Sequence, residues 1–325
     1  MFGSGHPAPV SEVPPQTSGT PSILCVGTVS LDLILVAPRM PDADERIEAS
    51  DVALSGGGNA ANAAVAIARL GLPVQFCGTV GGDRAGDWVI AELAAAGVGV
   101  DLVRRHKNAT TAQSAVIVSS DSGERAIVTY PPPPPPPVPA GFDIVHLDKA
   151  GWVSMPPRGI PGSRVSVDDG NLIPDLNLSL LAWYVPTAAV IRERYSTPDA
   201  VRAARLAQAE GAECVIATEG PSGSFGLGQA GTLVYAPPLP VKPRSTLGAG
   251  DVFHGALLAA LALGQDLEDA LRFANVTAAL ACRGLDGRSA IPIRGEVESQ
   301  LQHLTPSSLS EEGISQLFSR IVATP

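Results

Sequence analysis

The sequence predicts an α/β protein: a doubly wound, mostly parallel sheet with helices on both faces, plus a small antiparallel β lid. Short apolar, β-branched runs alternate with helical stretches along most of the chain, which is typical of parallel sheets covered on both faces. Two segments, 46–54 and 112–130, interrupt this order with near-alternating polarity, so we interpret them as half-exposed lid strands. A length of 325 residues leaves room for a large core and such an appendage.

The core elements follow one another as strand, then helix. The apolar run at 23–36 is interpreted as a buried first strand, and the glycine-rich stretch 56–71 as a loop followed by a small-residue helix that stops at Gly71. Later strands are predicted at 72–82, 143–147, 164–168 and 213–218, and later helices at 84–97, at 197–211, after the glycines at 248–250 and in the stretch FANVTAALACRG.

Three segments are predicted from these patterns. Residues 1–21, rich in Pro, Ser and Gly, form a flexible tail; residues 22–305 form the core with its lid; residues 306–325 form a C-terminal helical tail. The short amphipathic helix of this last segment packs either on the core or on an oligomer partner.

Seven consecutive prolines, Pro131–Pro137, follow the predicted lid strands. Such a run forms a stiff polyproline II segment. It is either a docking ligand for an SH3-like partner or a spacer that returns the chain to the core, and we favour the spacer.

Composition excludes several classes of protein. A formal net charge of −10 argues against nucleic-acid binding, because that affinity depends on cations that displace counterions from phosphates. The four cysteines form no CxxC pair, which indicates a reducing, cytoplasmic location. No apolar run approaches the ~18 residues that a membrane span needs. We therefore expect a small-molecule partner and neither nucleic acid nor membrane.

The segment RSTLGAGDVFHGALLAALALG, residues 244–264, carries the strongest chemical signal. Gly248, Ala249 and Gly250 have little or no side chain and precede an apolar helix, so their amides can cradle a phosphate at the helix start. Asp251 adds a carboxylate there, which can act as a base beside a transferred phosphoryl group. Alternatively, Asp251 only caps the first turn.

GAGD followed by an apolar helix, together with the upstream GGGNAANAAVAIARLG, strongly resembles the two signature segments of the ribokinase family of sugar kinases, also called the phosphofructokinase B type. The resemblance spans about residues 22–295. GERAIVTYP, GAGDVFHGAL and ILCVGTVSLD look most like the ketohexokinase and sulfofructose kinase branch. The resemblance implies a ribokinase-like fold, ATP and Mg²⁺ as cofactors, Asp251 as catalytic base and residues 248–250 as the anion hole.

For the sugar, the resemblance implies contacts from both the core and the lid. Asp32 in GTVSLD matches the family's acidic sugar ligand, and a carboxylate can accept from two neighbouring hydroxyls; otherwise it is a strand end facing solvent. The remaining implied contacts are Gly57, Gly58, Asn59 and Asn62 of the substrate loop, Asp44 of a loop and Arg125 of the lid. Asn59 could instead be an ordinary cap with Asn62 exposed, and Arg125 a solvated charge.

For the nucleotide, the resemblance implies Thr218, Gly220 and Gly223 of ATEGPSG, with Asn275 and Cys282 on a helix near adenine. Cys282 is equally well explained as a small buried hydrophobe. Two departures stand out. Ser245 replaces the Asp that helps some relatives bind a monovalent cation, which puts potassium dependence in doubt. The NxxE motif is missing from WYVPTAAVIRE, so the magnesium ligands stay unknown, with Glu193 at an unassigned register.

The predicted function is an ATP-dependent kinase acting on a hydroxyl of a small carbohydrate, a ketose by preference. The alternatives are a nucleoside kinase of the same fold, which an aromatic content of only 4% disfavours, and a non-catalytic sugar- or nucleotide-binding protein. A homodimer through the lid is implied by the resemblance alone.

Overall fold

The computed structural model describes residues 19–122, 124–304 and 309–319, and the predicted N-terminal tail lies almost wholly outside them. In chain order the strands of these residues are β1 (Ile23–Val26), β2 (Ser30–Ala37), β3 (Asp51–Gly57), β4 (Val74–Gly81), β5 (Val103–His106), β6 (Ala112–Ser119), β7 (Arg125–Tyr130), β8 (Ile144–Leu147), β9 (Arg164–Asp169), β10 (Trp183–Pro186), β11 (Cys214–Thr218), β12 (Ser224–Leu227) and β13 (Leu233–Ala236). The helices are α1 (Asn59–Arg69), α2 (Arg84–Ala95), α3 (Lys149–Trp152), α4 (Ala188–Arg194), α5 (Ala200–Ala209), α6 (Ala249–Ala262), α7 (Leu267–Ala281), α8 (Arg294–Leu301) and α9 (Glu311–Leu317).

The main sheet has nine strands in the order β13-β12-β11-β10-β9-β8-β1-β4-β5. All neighbours from β11 to β5 are parallel, while β12 and β13 form an antiparallel edge. One buried cluster beneath α1, α2, α6 and α7 covers one face, and a second beneath α4 and α5 covers the other. The predicted fold class is confirmed.

The lid is a four-stranded sheet in the order β3-β2-β6-β7. Its outer pairs are antiparallel, as predicted, but the central pair of β2 with β6 is parallel. Because β2 and β6 are reached through separate excursions from the core, no hairpin joins them, and a parallel pairing is open to them.

The interpretation of 23–36 as one buried strand is wrong in extent. The run divides into β1 of the main sheet and β2 of the lid. The chain leaves the core at Gly27, whose φ is 149°, and a Cβ there would lie 1.9 Å from a carboxylate oxygen of Asp148. Only glycine permits this close approach. The first lid segment is also shifted, since its strand β3 begins at Asp51 and runs to Gly57.

The proline run is held against the core by two hydroxyls. Thr79 donates to the carbonyl of Pro134 at 2.7 Å, and Ser154 donates to that of Pro135 at 3.0 Å. Within the described part of the C-terminal segment, α9 packs on the core: Ile314 and Phe318 are buried, and the Phe318 ring meets Phe225 edge to face at 4.9 Å.

Candidate active site

The start of α6 combines a glycine N-cap with an open backbone amide. Gly248 is the N-cap, with a φ of 74°, and a Cβ there would lie 2.6 Å from the Cα of Gly287, so this position needs glycine. The amide of Ala249 already donates to the carbonyl of Thr246 at 3.3 Å. The amide of Gly250 has no backbone partner among the described residues, and the space above its Cα is open. A helix start of this kind attracts a phosphate oxygen.

Asp251 lies in the first turn of α6 and accepts a hydrogen bond from Nδ2 of Asn62 at 2.7 Å. Burial, followed by the negative charge of Asp168, raises the pKa of Asp251 to about 7. A carboxylate with this pKa can take up a proton near neutral pH, which a simple capping residue has no need to do.

Asn62 and a buried arginine, Arg288, link the two sides of the site. Arg288 donates to Oδ1 of Asn62 at 2.7 Å, to the carboxylate of Glu92 at 2.6 Å and to the carbonyl of Gly57 at 2.9 Å. Both polar ends of Asn62 are therefore engaged within the protein. Sequence reasoning missed Arg288, because an isolated arginine in a glycine-rich turn carries no pattern that announces its burial.

Asp32 lies on lid strand β2, where Ser30 donates to its carboxylate at 2.8 Å. Burial raises its pKa, against the lowering effect of hydrogen bonds from Ser30 and Ser114 and of the charge of Arg288. A Cβ on Gly57 would lie 1.9 Å from Asp32 Oδ2. Because Gly57 has no side chain, its backbone can lie against this carboxylate while its carbonyl accepts from Arg288. Asp32 is thereby linked through Gly57 and Arg288 to Asn62 and Asp251.

A small polar pocket opens at the carboxyl ends of β1, β8 and β9, where ligands of doubly wound sheets bind. Its lining comprises Thr28, Asn59, Asp148, Lys149, Asp168 and Asn171. Gly58, with a φ of 95°, is the N-cap of α1 and delivers Asn59 to this pocket. A Cβ on Gly58 would lie 2.4 Å from the carbonyl of Thr28, so this loop position also requires glycine.

The two further implied contacts, Arg125 of the lid and Asp44 of a loop, lie in different surroundings. Arg125 begins β7 and donates to the hydroxyl of Thr246 at 2.6 Å, which places its guanidinium beside the segment leading to Gly248. Asp44 is exposed, with a φ of 61°, in the loop between β2 and β3. That loop joins the hairpin at the end opposite Ser30, so Asp44 is not brought together with Asp32.

The residues implied for nucleotide lie around β11 and α7. Thr218 ends β11, and Gly220 and Gly223 flank a short turn with φ values of 46° and 84°. Asn275 donates to the carbonyls of Ala236 and Pro237 and accepts from Ser224, so its amide clamps α7 to the sheet edge. Cys282 is largely buried and donates to the Ala278 carbonyl. A contact of either side chain with adenine stays a prediction.

The described residues contain no group of three or more His, Cys, Asp or Glu side chains arranged to hold a metal ion. Glu193 is exposed on α4 and belongs to no such group. Magnesium that arrives with a nucleotide needs few protein ligands, because phosphate oxygens and water fill most of its octahedron. We therefore treat Mg²⁺ as part of MgATP and assign it no ligands.

A parallel sheet with an open helix start, a buried carboxylate at that start and a lid over the same edge is compatible with phosphoryl transfer. Residues 20–142 and 187–294 match the model of the pfkB family of carbohydrate kinases. The chain belongs to this family and is a carbohydrate kinase, a phosphotransferase with an alcohol group as acceptor.

Individual relatives agree with this assignment over nearly their whole length. The chain is 30% identical to a ribokinase of Bacillus subtilis over 297 residues, which is 86% of this chain and 99% of that protein. It is 28% identical to a ketohexokinase of Mus musculus, covering 82% of this chain and 98% of that one. The structure of a ribokinase of Arabidopsis thaliana complexed with ribose and ATP is similar, with a TM-score of 0.71 and 24% identity, covering 87% of this chain and 99% of that one.

In the parts of the chain that the structure covers, none of the helices combines the length and apolar character needed to cross a bilayer.

Proposed function

We propose that this protein transfers the γ-phosphoryl group of ATP to a hydroxyl of a small sugar, a ketose by preference. The observation that carries the proposal is Asp251 itself. Its carboxylate has a pKa raised to about 7 and lies in the same helix turn as the amide of Gly250, for which the described residues offer no backbone partner. One helix start thereby offers a base for the acceptor hydroxyl and a donor for the phosphate that it attacks.

In the proposed reaction the acceptor oxygen attacks the γ-phosphorus, and the bond from that phosphorus to the β–γ bridging oxygen breaks. The hydroxyl proton passes to Asp251, and ADP leaves. Amides at the start of α6, Gly250 foremost, stabilise charge on the equatorial oxygens, with Mg²⁺ entering as part of MgATP. Arg125, held at Thr246, adds positive charge on the same side. The lid excludes water that would otherwise accept the phosphoryl group.

The sugar would lie between Asp32 of the lid and Asp251 of the core. Asp32 is buried with an acceptor side chain, and Asn59 lines the adjoining pocket. Asn62 is hydrogen-bonded through its nitrogen to Asp251 and through its oxygen to Arg288, so we assign it the task of orienting Asp251. The nucleotide would follow the sheet edge past Thr218 and Gly220.

Replacing the base tests the proposal directly. In Asp251→Asn the side chain keeps its shape and an oxygen for Asn62, but it cannot accept the proton. We expect kcat to fall about 100-fold or more while sugar binding survives. ADP release should be measured with D-fructose, D-ribose, D-glucose and adenosine as acceptors.

Asp87→Asn is the matched control, since Asp87 also lies in the first turn of a helix but pairs with the exposed Arg105. It should retain wild-type turnover. Wild-type turnover in Asp251→Asn would refute the assignment of the base. Adenosine as the best acceptor would establish the nucleoside kinase alternative, and sugar binding without turnover by the wild type would establish the non-catalytic one.

We also propose a homodimer formed through the lid and a cytoplasmic location. The outer face of the lid presents apolar side chains to solvent, including Leu33, Leu54 and Val128, an arrangement that marks contact surfaces. All four cysteines are free thiols, as a reducing compartment would keep them.

A further inference from the structure

Asp168 is a buried carboxylate that the proposed chemistry does not use. It lies one residue before the end of β9, is 5% exposed and lines the pocket together with Asn59. Sequence analysis did not single it out, since an aspartate at a strand end is common. Its hydrogen bonds, however, connect three elements that meet at the site: β9, α1 and α6.

The carboxylate of Asp168 is held at both oxygens. Oδ1 accepts from the amide of Gly170 at 2.8 Å and lies 3.2 Å from Nε2 of His254, one helical turn after Asp251. Oδ2 accepts from Nδ2 of Asn59 at 3.1 Å. With two donors on Oδ1, the carboxylate cannot rotate freely, so the position of Oδ2 relative to α1 is set.

Asp168 is ionised in this setting. Burial alone would raise its pKa, but the charge and hydrogen bond of His254, with those of Asn59 and Gly170, outweigh burial and lower it. An ionised carboxylate can only accept hydrogen bonds. Asn59 must therefore turn its NH₂ group towards Asp168, which directs its carbonyl oxygen Oδ1 away from that carboxylate.

We propose that Asp168 is a positioning residue which orients the amide of Asn59, so that Asn59 meets the substrate as a hydrogen-bond acceptor. The substrate class that this geometry selects carries a free hydroxyl, as donor, at the point facing Asn59. A group without a hydrogen to donate, such as a methyl ether or a carboxylate, would leave the Asn59 oxygen unpaired, at a cost in binding. The inference rests on the proposed function, because it takes Asn59 as a sugar contact.

An exchange of the two side chains tests the orientation. In Asp168→Asn the pair becomes two amides, and Asn59 is free to invert. We expect the KM for the best acceptor sugar of the panel to rise about tenfold, as for the loss of a hydrogen bond to a charged group, with a smaller change in kcat. Asn59→Asp alone should raise KM further, because two carboxylates would face each other. The double variant Asp168→Asn/Asn59→Asp again has one amide donor facing one carboxylate, and it keeps an acceptor at position 59. Its KM should therefore return most of the way to the wild-type value.

Asp169→Asn is the matched control. Asp169 is the next residue, equally buried, but it bonds to Tyr184 and Arg194, away from the pocket. It should lose stability without a change in KM.

The inference is overturned if Asp168→Asn leaves KM within twofold of wild type, or if the double variant is no better than Asp168→Asn. If neither of the two variants that carry Asp168→Asn folds, the KM of Asn59→Asp is compared with that of Asn59→Ala to test the inference. The inference requires the larger KM in Asn59→Asp, and equal values overturn it. A wild type that phosphorylates no member of the panel refutes the proposed function instead, so the two failures are distinguishable.

Discussion

At the scale of single residues, the charge around Asp251 sets the conditions under which the proposed base can work. Asp148 at the end of β8 and Asp168 at the end of β9 raise the pKa of Asp251, while His254 on its own helix lowers it. Arg288, in the loop after α7, reaches Asp251 through Asn62. Burial lowers the pKa of His254, but the charge of Asp168 outweighs it and the net direction is upward, which favours the positively charged form of the ring.

The pH dependence of kcat/KM follows from these charges. A base must be ionised, so activity should fall as pH drops through about 7, the pKa of Asp251. His254→Gln keeps a donor for Asp168 but removes the positive charge that lowers the pKa of Asp251. The acid limb of the profile should then move to higher pH, by on the order of one pH unit.

His146→Asn provides the comparison for this profile. The His146 ring lies 5.2 Å from that of His254, but burial lowers its pKa to about 3, so it is neutral throughout the range tested. Its replacement should leave the acid limb in place. An unmoved limb in His254→Gln would contradict the arrangement of charges described here.

Candidate site residues could be predicted from the sequence where they lie in a recognisable local motif. Residues that act only through contacts made by the fold could not. GAGD marks both the open helix start and Asp251 because glycine is required there sterically. Arg288 and Asp168 have no such local mark: their partners Glu92, Asn62 and Asn59 come from distant parts of the chain. Asn275 is a different case. The resemblance implied a place near adenine for it, and the structure adds hydrogen bonds between its amide and the sheet edge, which the sequence did not predict.

At the scale of elements, alternation of apolar strands and helices predicted the strands β4, β8, β9 and β11 and the helices α1, α2, α5, α6 and α7, but not α3, α4 or α8. The boundary between β1 and β2 could not be predicted, because both strands are apolar and Gly27 between them resembles any strand glycine. The short strands β5, β10, β12 and β13 went unpredicted. Each has only four residues, which leaves little room for a periodic pattern to register.

The proline run behaves as an element with defined anchors. Thr79→Val removes the hydroxyl that bonds to Pro134 while keeping the volume of the side chain. We expect the free energy of unfolding to fall by about 1 kcal/mol, with a similar loss for Ser154→Ala at the second anchor. Urea denaturation measures both.

Thr129→Val removes an exposed hydroxyl of the lid and should cost much less. Unchanged stability in both anchor variants would contradict the interpretation of the run as a spacer fixed to the core, and would return the SH3-like docking alternative to consideration.

At the scale of the whole molecule, the outer face of the lid exposes apolar side chains that a partner could cover. Leu33 lies opposite Leu54 on one side and Ala115 on the other, and Ala115 lies opposite Val128, so these side chains share one face. Val128 is 75% exposed and Leu54 is 55% exposed. Covering such a patch with a second copy removes apolar surface from water.

Placing charge on that face should separate the proposed dimer. Leu54→Glu/Val128→Glu should elute as a monomer in size-exclusion chromatography with light scattering, whereas the wild type should elute as a dimer. Leu206→Glu, a change of the same kind on the exposed side of α5, should not alter the mass. A monomeric wild type, or a dimeric double variant, would contradict the lid interface.

The parallel pairing of β2 with β6 also orders the events of folding. Ser30 pairs with Ala112, and the chain between them builds β3, α1, β4, α2 and β5. Closing so long a loop is entropically unfavourable until that intervening part of the core has condensed. The lid should therefore be the last sheet to form and the first to exchange its amide hydrogens.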